Sequence, residues 1–139
     1  MGKISSFDIS ASGISAQRVR MDVIANNIAN AETTRTPEGG PYRRQRVTFR
    51  SIYDNTLSNH ATPAGVQVAS VTQDPTDYRL VYDPGHPDSD ASGYVKMPNV
   101  NVVEEMVNMI SATRAYEANV TVMNATKSMI AAGIELGKG

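Results

Sequence analysis

The sequence predicts a mainly α-helical chain with a small β element. Long amphipathic helices stand at its two ends, packed as a coiled-coil-like pair, with a loop-rich small β domain between them. Three observations carry this reading. Apolar residues recur every seven positions in both terminal stretches, all seven prolines fall between Pro37 and Pro98, and short β-branched or aromatic runs bounded by turn residues occupy the middle. The organisation that follows is an N-terminal helix in residues 1–35, a middle domain in 36–99 and a C-terminal helix in 100–139.

In the N-terminal stretch, residues 5–31, Phe7, Ile14, Met21 and Ile28 stand seven apart. Ile24 adds to that stripe, while Ala11, Ala16, Ala25 and Ala29 keep its flanks small. Ser5 or Ser6 can cap the start. Gly13 costs about 1 kcal/mol relative to alanine inside a helix, so it marks a bend or a close approach of another helix. Thr33, Thr34, Pro37, Gly39, Gly40 and Pro41 follow in quick succession, which ends the helix near Asn30.

The middle reads as several short strands. Residues 45–52 form the first, and Val66, Val68 and residues 69–71 form the second after a Pro63-Ala64-Gly65 turn. Residues 78–82 precede the Asp83-Pro84-Gly85 turn, and residues 93–97 supply one more strand. Residues 54–64 are polar and without periodicity, which suits a mobile loop.

The C-terminal run, residues 101–136, has the most regular pattern. Val102, Met109, Tyr116, Met123 and Ile130 recur every seven residues, and Met106, Thr113, Val120, Lys127 and Ile134 each fall four residues later. That is the spacing of a helix with one sustained apolar seam. Pro98 precedes it, Asn101 can cap it, Glu104 stands three residues on, and Glu105 adds negative charge to the first turn. Such a helix is on the order of 50 Å long, longer than a compact chain of this size is wide.

Composition excludes several classes of function. With no cysteine there is no disulfide framework, zinc-thiolate site or thiol nucleophile. A net charge of −1 gives no general attraction to nucleic acid or to an anionic membrane. The charge is uneven, since residues 1–50 hold eight Lys and Arg against four Asp and Glu, and the remainder holds five against ten. No apolar run has the length of a membrane span, and Lys3 is followed by Ser5, Ser6 and Asp8 rather than by a signal-peptide core. By composition alone the chain reads as soluble and cytoplasmic.

Three constellations invite chemistry and fall short of it. Asp88, Asp90 and Ser92-Gly93 match the opening of a calcium loop, but Asn99 stands where the bidentate glutamate belongs and Lys96 brings a cation into the loop. It reads as a turn before a strand. Asp83, His86, Asp88 and Asp90 contain the parts of a metal or hydrolytic site, yet His86 is wedged between Gly85 and Pro87 and His60 lies far away in the loop. Both histidines read as solvated loop residues, and no catalytic group, metal or cofactor is expected. The basic and aromatic run of residues 42–50 places Arg44, Arg46 and Arg50 on one strand face, with Val47 and Phe49 on the other. Without a glycine-rich phosphate loop or a positive total charge, contact with a neighbouring protein subunit is the better use.

The seams demand a partner. A middle of this size cannot cover two helix stripes of such length, and pairing the helices leaves the far sides of Val103, Ile110 and Val122 open. The strings Ala25-Asn26-Asn27-Ile28-Ala29-Asn30-Ala31-Glu32-Thr33, residues 97–107 and residues 114–119 together resemble the bacterial flagellar axial proteins. Gly39-Gly40-Pro41-Tyr42-Arg43-Arg44 and residues 93–98 narrow the resemblance to the proximal rod proteins of the basal body, over nearly the whole chain except residues 51–64.

The resemblance implies a non-enzymatic structural subunit that stacks helically with related rod subunits into a drive shaft, which transmits torque and encloses the export channel. The terminal helices would form the inner tubular layer. It also implies partners: copies of the chain, other rod proteins, an adaptor at the rod base and the flagellar type III export apparatus, with no nucleic acid and no direct membrane insertion. The implied location is the rod in the periplasm, reached without a cleavable signal, in place of the cytoplasm that composition suggests. The expected subunit-interface residues are Ile14, Met21, Ile24, Asn26, Asn27, Ile28 and Asn30 on the first helix, and Met106, Met109, Tyr116, Val120, Met123, Lys127, Ile130 and Ile134 on the second. Lys127, the one charge on its seam, is expected to meet an acidic group of an adjacent chain. The alternative function is a non-polymerising helical module that docks one partner in a closed complex.

Overall fold

The computed structural model describes residues 6–54 and 61–139. The expected Ser5 cap, His60 and most of the expected mobile loop lie outside the described residues. In chain order the elements are helix α1 (Ser6–Ala29), strands β1 (Gln45–Asp54), β2 (Thr62–Gln73), β3 (Arg79–Tyr82) and β4 (Tyr94–Met97), and helix α2 (Val102–Lys138). The strands make two separate antiparallel pairs, β1 with β2 and β3 with β4.

The breaks between elements follow from local chemistry. Beyond α1 the chain turns back through bonds from the Asn30 N–H to the Asn26 carbonyl and from the Tyr42 N–H to the Thr33 carbonyl. Gly39 and Gly40 both take positive φ, which only glycine adopts freely, so the Thr36–Gly40 turn closes without strain. At the other end, the Asn101 side chain accepts from the N–H groups of Val103 and Glu104 and starts α2 as the sequence suggests.

Two expectations in the middle are corrected. Pro63, Ala64 and Gly65 are not a turn: they run inside β2, with Gly65 opposite Ile52 and Pro63 opposite Tyr53, and the register shifts there. The extra residue makes a β-bulge, which keeps the strand going and bends it. Gly65, at φ +141°, also lets the strand press on α1, since a Cβ there would lie 2.5 Å from the Ser12 hydroxyl, which accepts a bond from the Val66 N–H. The second correction concerns Arg44. Strand alternation places it beside Arg46 and Arg50 on one wet face, but it precedes β1 and turns inward, whereas Arg46 and Arg50 are exposed and Val47 and Phe49 half-buried as alternation requires.

The helices run antiparallel. Asn27 meets Glu105, Met21 meets Thr113 and Gly13 meets Asn119, so rising numbers on α1 face falling numbers on α2. The stripe that faces inward on α2 is displaced by one residue from the predicted seam. Glu105, Ala112 and Thr126 are buried and Asn119 half-buried, interleaved with half-buried Met109, Tyr116 and Met123. Of the series expected beside these, Met106, Lys127 and Ile134 are exposed, while Thr113 and Val120 are half-buried. On α1 the buried residues are Ser10, Gly13, Ala16, Ile24 and Asn27, and Phe7 of the expected stripe is exposed. Small groups occupy the contact because the axes come close: a Cβ on Gly13 would lie 2.7 Å from Asn119 Oδ1.

α2 outruns its partner. It has 37 residues against 24 in α1. Residues 127–138 are exposed throughout, an overhang of about 18 Å beyond the last buried position.

Candidate functional site

Two features stand out: a polar junction that locks the helices to the middle, and the uncovered outer face of α2.

The junction is centred on Asn27, which is 1% exposed. Its amide group mimics a strand edge. Asn27 Nδ2 donates to the Gln45 carbonyl and its Oδ1 accepts from the Gln45 N–H, each at 2.9 Å, while the Tyr42 hydroxyl donates to the same oxygen. The Nδ2 group also donates to Glu105 Oε2 at 3.0 Å. Glu105 is equally buried, and its other oxygen takes the Arg44 Nε–H at 2.6 Å. Arg44 then reaches Asp74 Oδ2 at 2.9 Å. Asn99 completes the ring, accepting from the Arg44 N–H and donating to the Asp74 and Thr76 carbonyls. Arg43 donates to the same two carbonyls and lies over the Tyr78 ring. These bonds join α1, the start of β1, the segment after β2 and the first turn of α2, and removing one member of the Asn27–Glu105–Arg44 set leaves a buried polar group without its partner.

The electrostatics follow from these contacts. Burial works against the Arg44 charge, but its bonds and proximity to Glu105 and Asp74 outweigh that and raise its pKa. The Asp74 carboxyl is held below its ordinary value, first by the backbone N–H of Thr76 and then by the Thr76 hydroxyl and Arg44. Burial, with the Glu105 charge adding to it, pushes the Tyr42 phenol up. Glu105 therefore does more than load the first turn with charge, as its position suggested. It stands seven residues before Ala112 and faces inward with it.

The loop that holds Asp83, His86, Asp88 and Asp90 is a series of hydrogen-bonded turns. Asp88 accepts from the Thr34 hydroxyl and pairs with Arg35, and these hydrogen bonds, Thr34 first, hold its carboxyl low. Asp90 accepts from the Ser92 and Tyr94 N–H groups. His86 is half-buried rather than simply solvated, its Nδ1 accepting from the Asp88 N–H. Among the described residues no cluster of His, Asp or Glu is arranged to hold a metal ion, and no helix is long and apolar enough to cross a membrane.

The expected interface residues fall into three groups. Asn27 and Ile24 are buried within the chain. Ile14, Met21, Ile28, Asn30, Met109, Tyr116, Val120 and Met123 are half-buried, with Asn30 bonded to Asn26 and Thr33. Asn26, Met106, Lys127, Ile130 and Ile134 are exposed. The three asparagines thus share one string but only Asn27 anchors the junction. The exposed apolar surface of α2 extends beyond those residues, with Val103, Val107, Ile110, Val122, Met129 and Leu136 also exposed. Among the described residues, nothing in the chain covers it.

The sequence is similar to those of known proteins along its whole length. Residues 7–35 match the family described as flagella basal body rod protein, and residues 91–136 match the C-terminal region of the flagellar basal body rod FlgEFG proteins. The chain is 49% identical to the flagellar basal-body rod protein FlgC of Borreliella burgdorferi over the full length of both. It belongs to the FlgC family of flagellar basal-body rod proteins. FlgC of Bacillus subtilis is 47% identical and FlgC of Salmonella typhimurium 46%, each covering 99% of this chain and all of the relative. In this FlgC-family chain the two matched regions cover nearly all of α1 and α2, with Asn27 in the first and Asn99 and Glu105 in the second, while β1, β2 and β3 lie outside both.

Proposed function

We propose that this chain is a non-enzymatic structural subunit of the flagellar basal-body rod that assembles helically with related rod subunits through its terminal helices. The observation that carries the reading is the outer face of α2, where Val103, Val107 and Ile110 are each more than 60% exposed and the overhang adds Met129 and Leu136. A lone chain must hold that surface in water. Burying it between neighbours gains roughly 25 cal/mol per Å² and offsets the entropy of ordering.

In this reading the helix pairs form a coiled-coil-like inner layer that encloses the export channel, and the β pairs lie outside it. Close-packed helices resist deformation, so the layer transmits torque as a drive shaft. The junction of Asn27, Arg44, Asp74 and Glu105 fixes the outer part rigidly to the inner one. Its neighbours are copies of itself, other rod proteins and an adaptor at the rod base, and it reaches the periplasmic rod through the type III export apparatus. Imaging basal bodies isolated from a strain that carries a tagged chain tests this. Density for the tag in the rod is expected, and rod assembly should stop when the gene is deleted. Normal rods in the deletion strain, or a closed complex of fixed stoichiometry in place of a rod, overturn the reading.

A further inference from the structure

We propose that the first three turns of α2 are the seat for the overhanging tip of an α2-type helix from a neighbouring rod subunit, with Lys127 of the tip meeting Glu104 of the seat. The proposal rests on the rod reading and names the partner chemistry of its open face.

Seat and tip are separate patches of one helix. Val103, Met106, Val107 and Ile110 are 70%, 55%, 61% and 62% exposed and follow the i, i+3, i+4, i+7 spacing with which a helix face meets a partner. Beside them a cavity of about 360 Å³ opens between Ala31, Glu32, Arg79 and Val100. On the tip, Ile130 and Ile134, at 52% and 58% exposure, share the Lys127 side of the helix, while Met129 and Leu136, at 68% and 84%, face the other way. Between the patches the outer face turns polar, with the Arg114–Glu117 ion pair and exposed Thr121, so one continuous stripe is not what a partner meets.

Charge selects the occupant. Glu104 and Glu32 at the seat are exposed and without an ion-pair partner among the described residues, as is Arg79 across the cavity, so the seat carries a net −1; Lys127 and Lys138 at the tip, with Glu135 between them in the sequence, are in the same condition and carry a net +1. Lys127 lies three and seven residues before Ile130 and Ile134, on their side of the helix. An acidic apolar seat at one end and a basic apolar tip at the other make a head-to-tail contact, which propagates along an axis instead of closing on itself. A free end with the opposite charge would be repelled at the seat.

The test uses a fluorescent peptide of residues 122–138 titrated into the dilute full chain and read by anisotropy. Saturable binding is expected. It should weaken at least about tenfold with Glu104→Lys in the chain or Lys127→Glu in the peptide, and recover when the two are combined. Ile110→Asp in the chain should abolish it, with helix content unchanged. Failure to bind overturns the proposal. So does binding that Ile110→Asp removes but both charge changes leave intact, which assigns the face to a partner of other chemistry. Basal bodies imaged from the same strain keep the two readings apart: a chain present in the rod whose charge changes do not compensate sinks the docking alone, whereas a chain absent from the rod sinks the rod reading.

Discussion

Replacing Glu105 by alanine should cost this fold about 3 kcal/mol. The carboxylate is 1% exposed and makes two contacts, to Arg44 Nε at 2.6 Å and to Asn27 Nδ2 at 3.0 Å. Breaking a buried ion pair by deleting one partner costs about 3–5 kcal/mol, because the remaining charge is left uncompensated. Here Arg44 keeps Asp74 and its side chain is 20% exposed, which places the loss at the lower end. For a chain of this length that is a fall in melting temperature of about 10 °C. Glu105→Gln keeps the shape and an acceptor for Asn27 but removes the charge, so about half the loss is expected. Urea unfolding followed by helical circular dichroism measures both. If Glu105→Ala lies within about 0.5 kcal/mol of the parent chain, the junction does not hold the helices to the middle and the rigid coupling argued from it is wrong.

The close approach at Gly13 makes Gly13→Val destabilising by about 2 kcal/mol, from overpacking against the Asn119 amide, and Asn119→Ala should recover part of it in the double variant. A substitution series separates the faces of α2: Ala112→Asp, at a position with no exposure, should unfold the helix pair, whereas Ile110→Asp should leave the melting curve unchanged and block incorporation into rods. Acid should also loosen the fold. Asp74 and Asp88 bind protons less readily folded than unfolded, so they add stability that is present above the ordinary carboxylate value of about 4 and is lost as pH falls through their lowered folded values. Urea midpoints measured downward from pH 5 should drop, and Asp74→Asn should flatten the drop; an unchanged slope in that variant would show that Asp74 does not carry it.

Some of this molecule was legible before any coordinates. Helix existence and extent came from seven-residue spacing and caps, and both are local: Asn101 caps because its side chain reaches the N–H groups two and three residues on. Strand alternation at Val47 and Phe49 is local in the same way. The asparagine-rich string and the Gly39-Gly40 turn likewise carried the family resemblance without any fold.

Tertiary contacts decided the rest. Seven-residue spacing fits two adjacent stripes on α2, because neighbouring residues lie only about 100° apart around a helix. Hydrophobicity favours the one with Met106, Lys127 and Ile134 flanking, yet Glu105, Ala112, Asn119 and Thr126 face inward. Small and polar groups win there for two reasons: the Gly13 crossing admits little bulk, and the Glu105 carboxylate finds Arg44 and Asn27, which lie 61 and 78 residues away in the chain. With that stripe inward, Met106 is left outside, and Lys127, Ile130 and Ile134 are exposed because α1 ends short of them. Spacing along the chain determined that α2 has an apolar seam, and long-range partners determined that much of this seam is left for a neighbour.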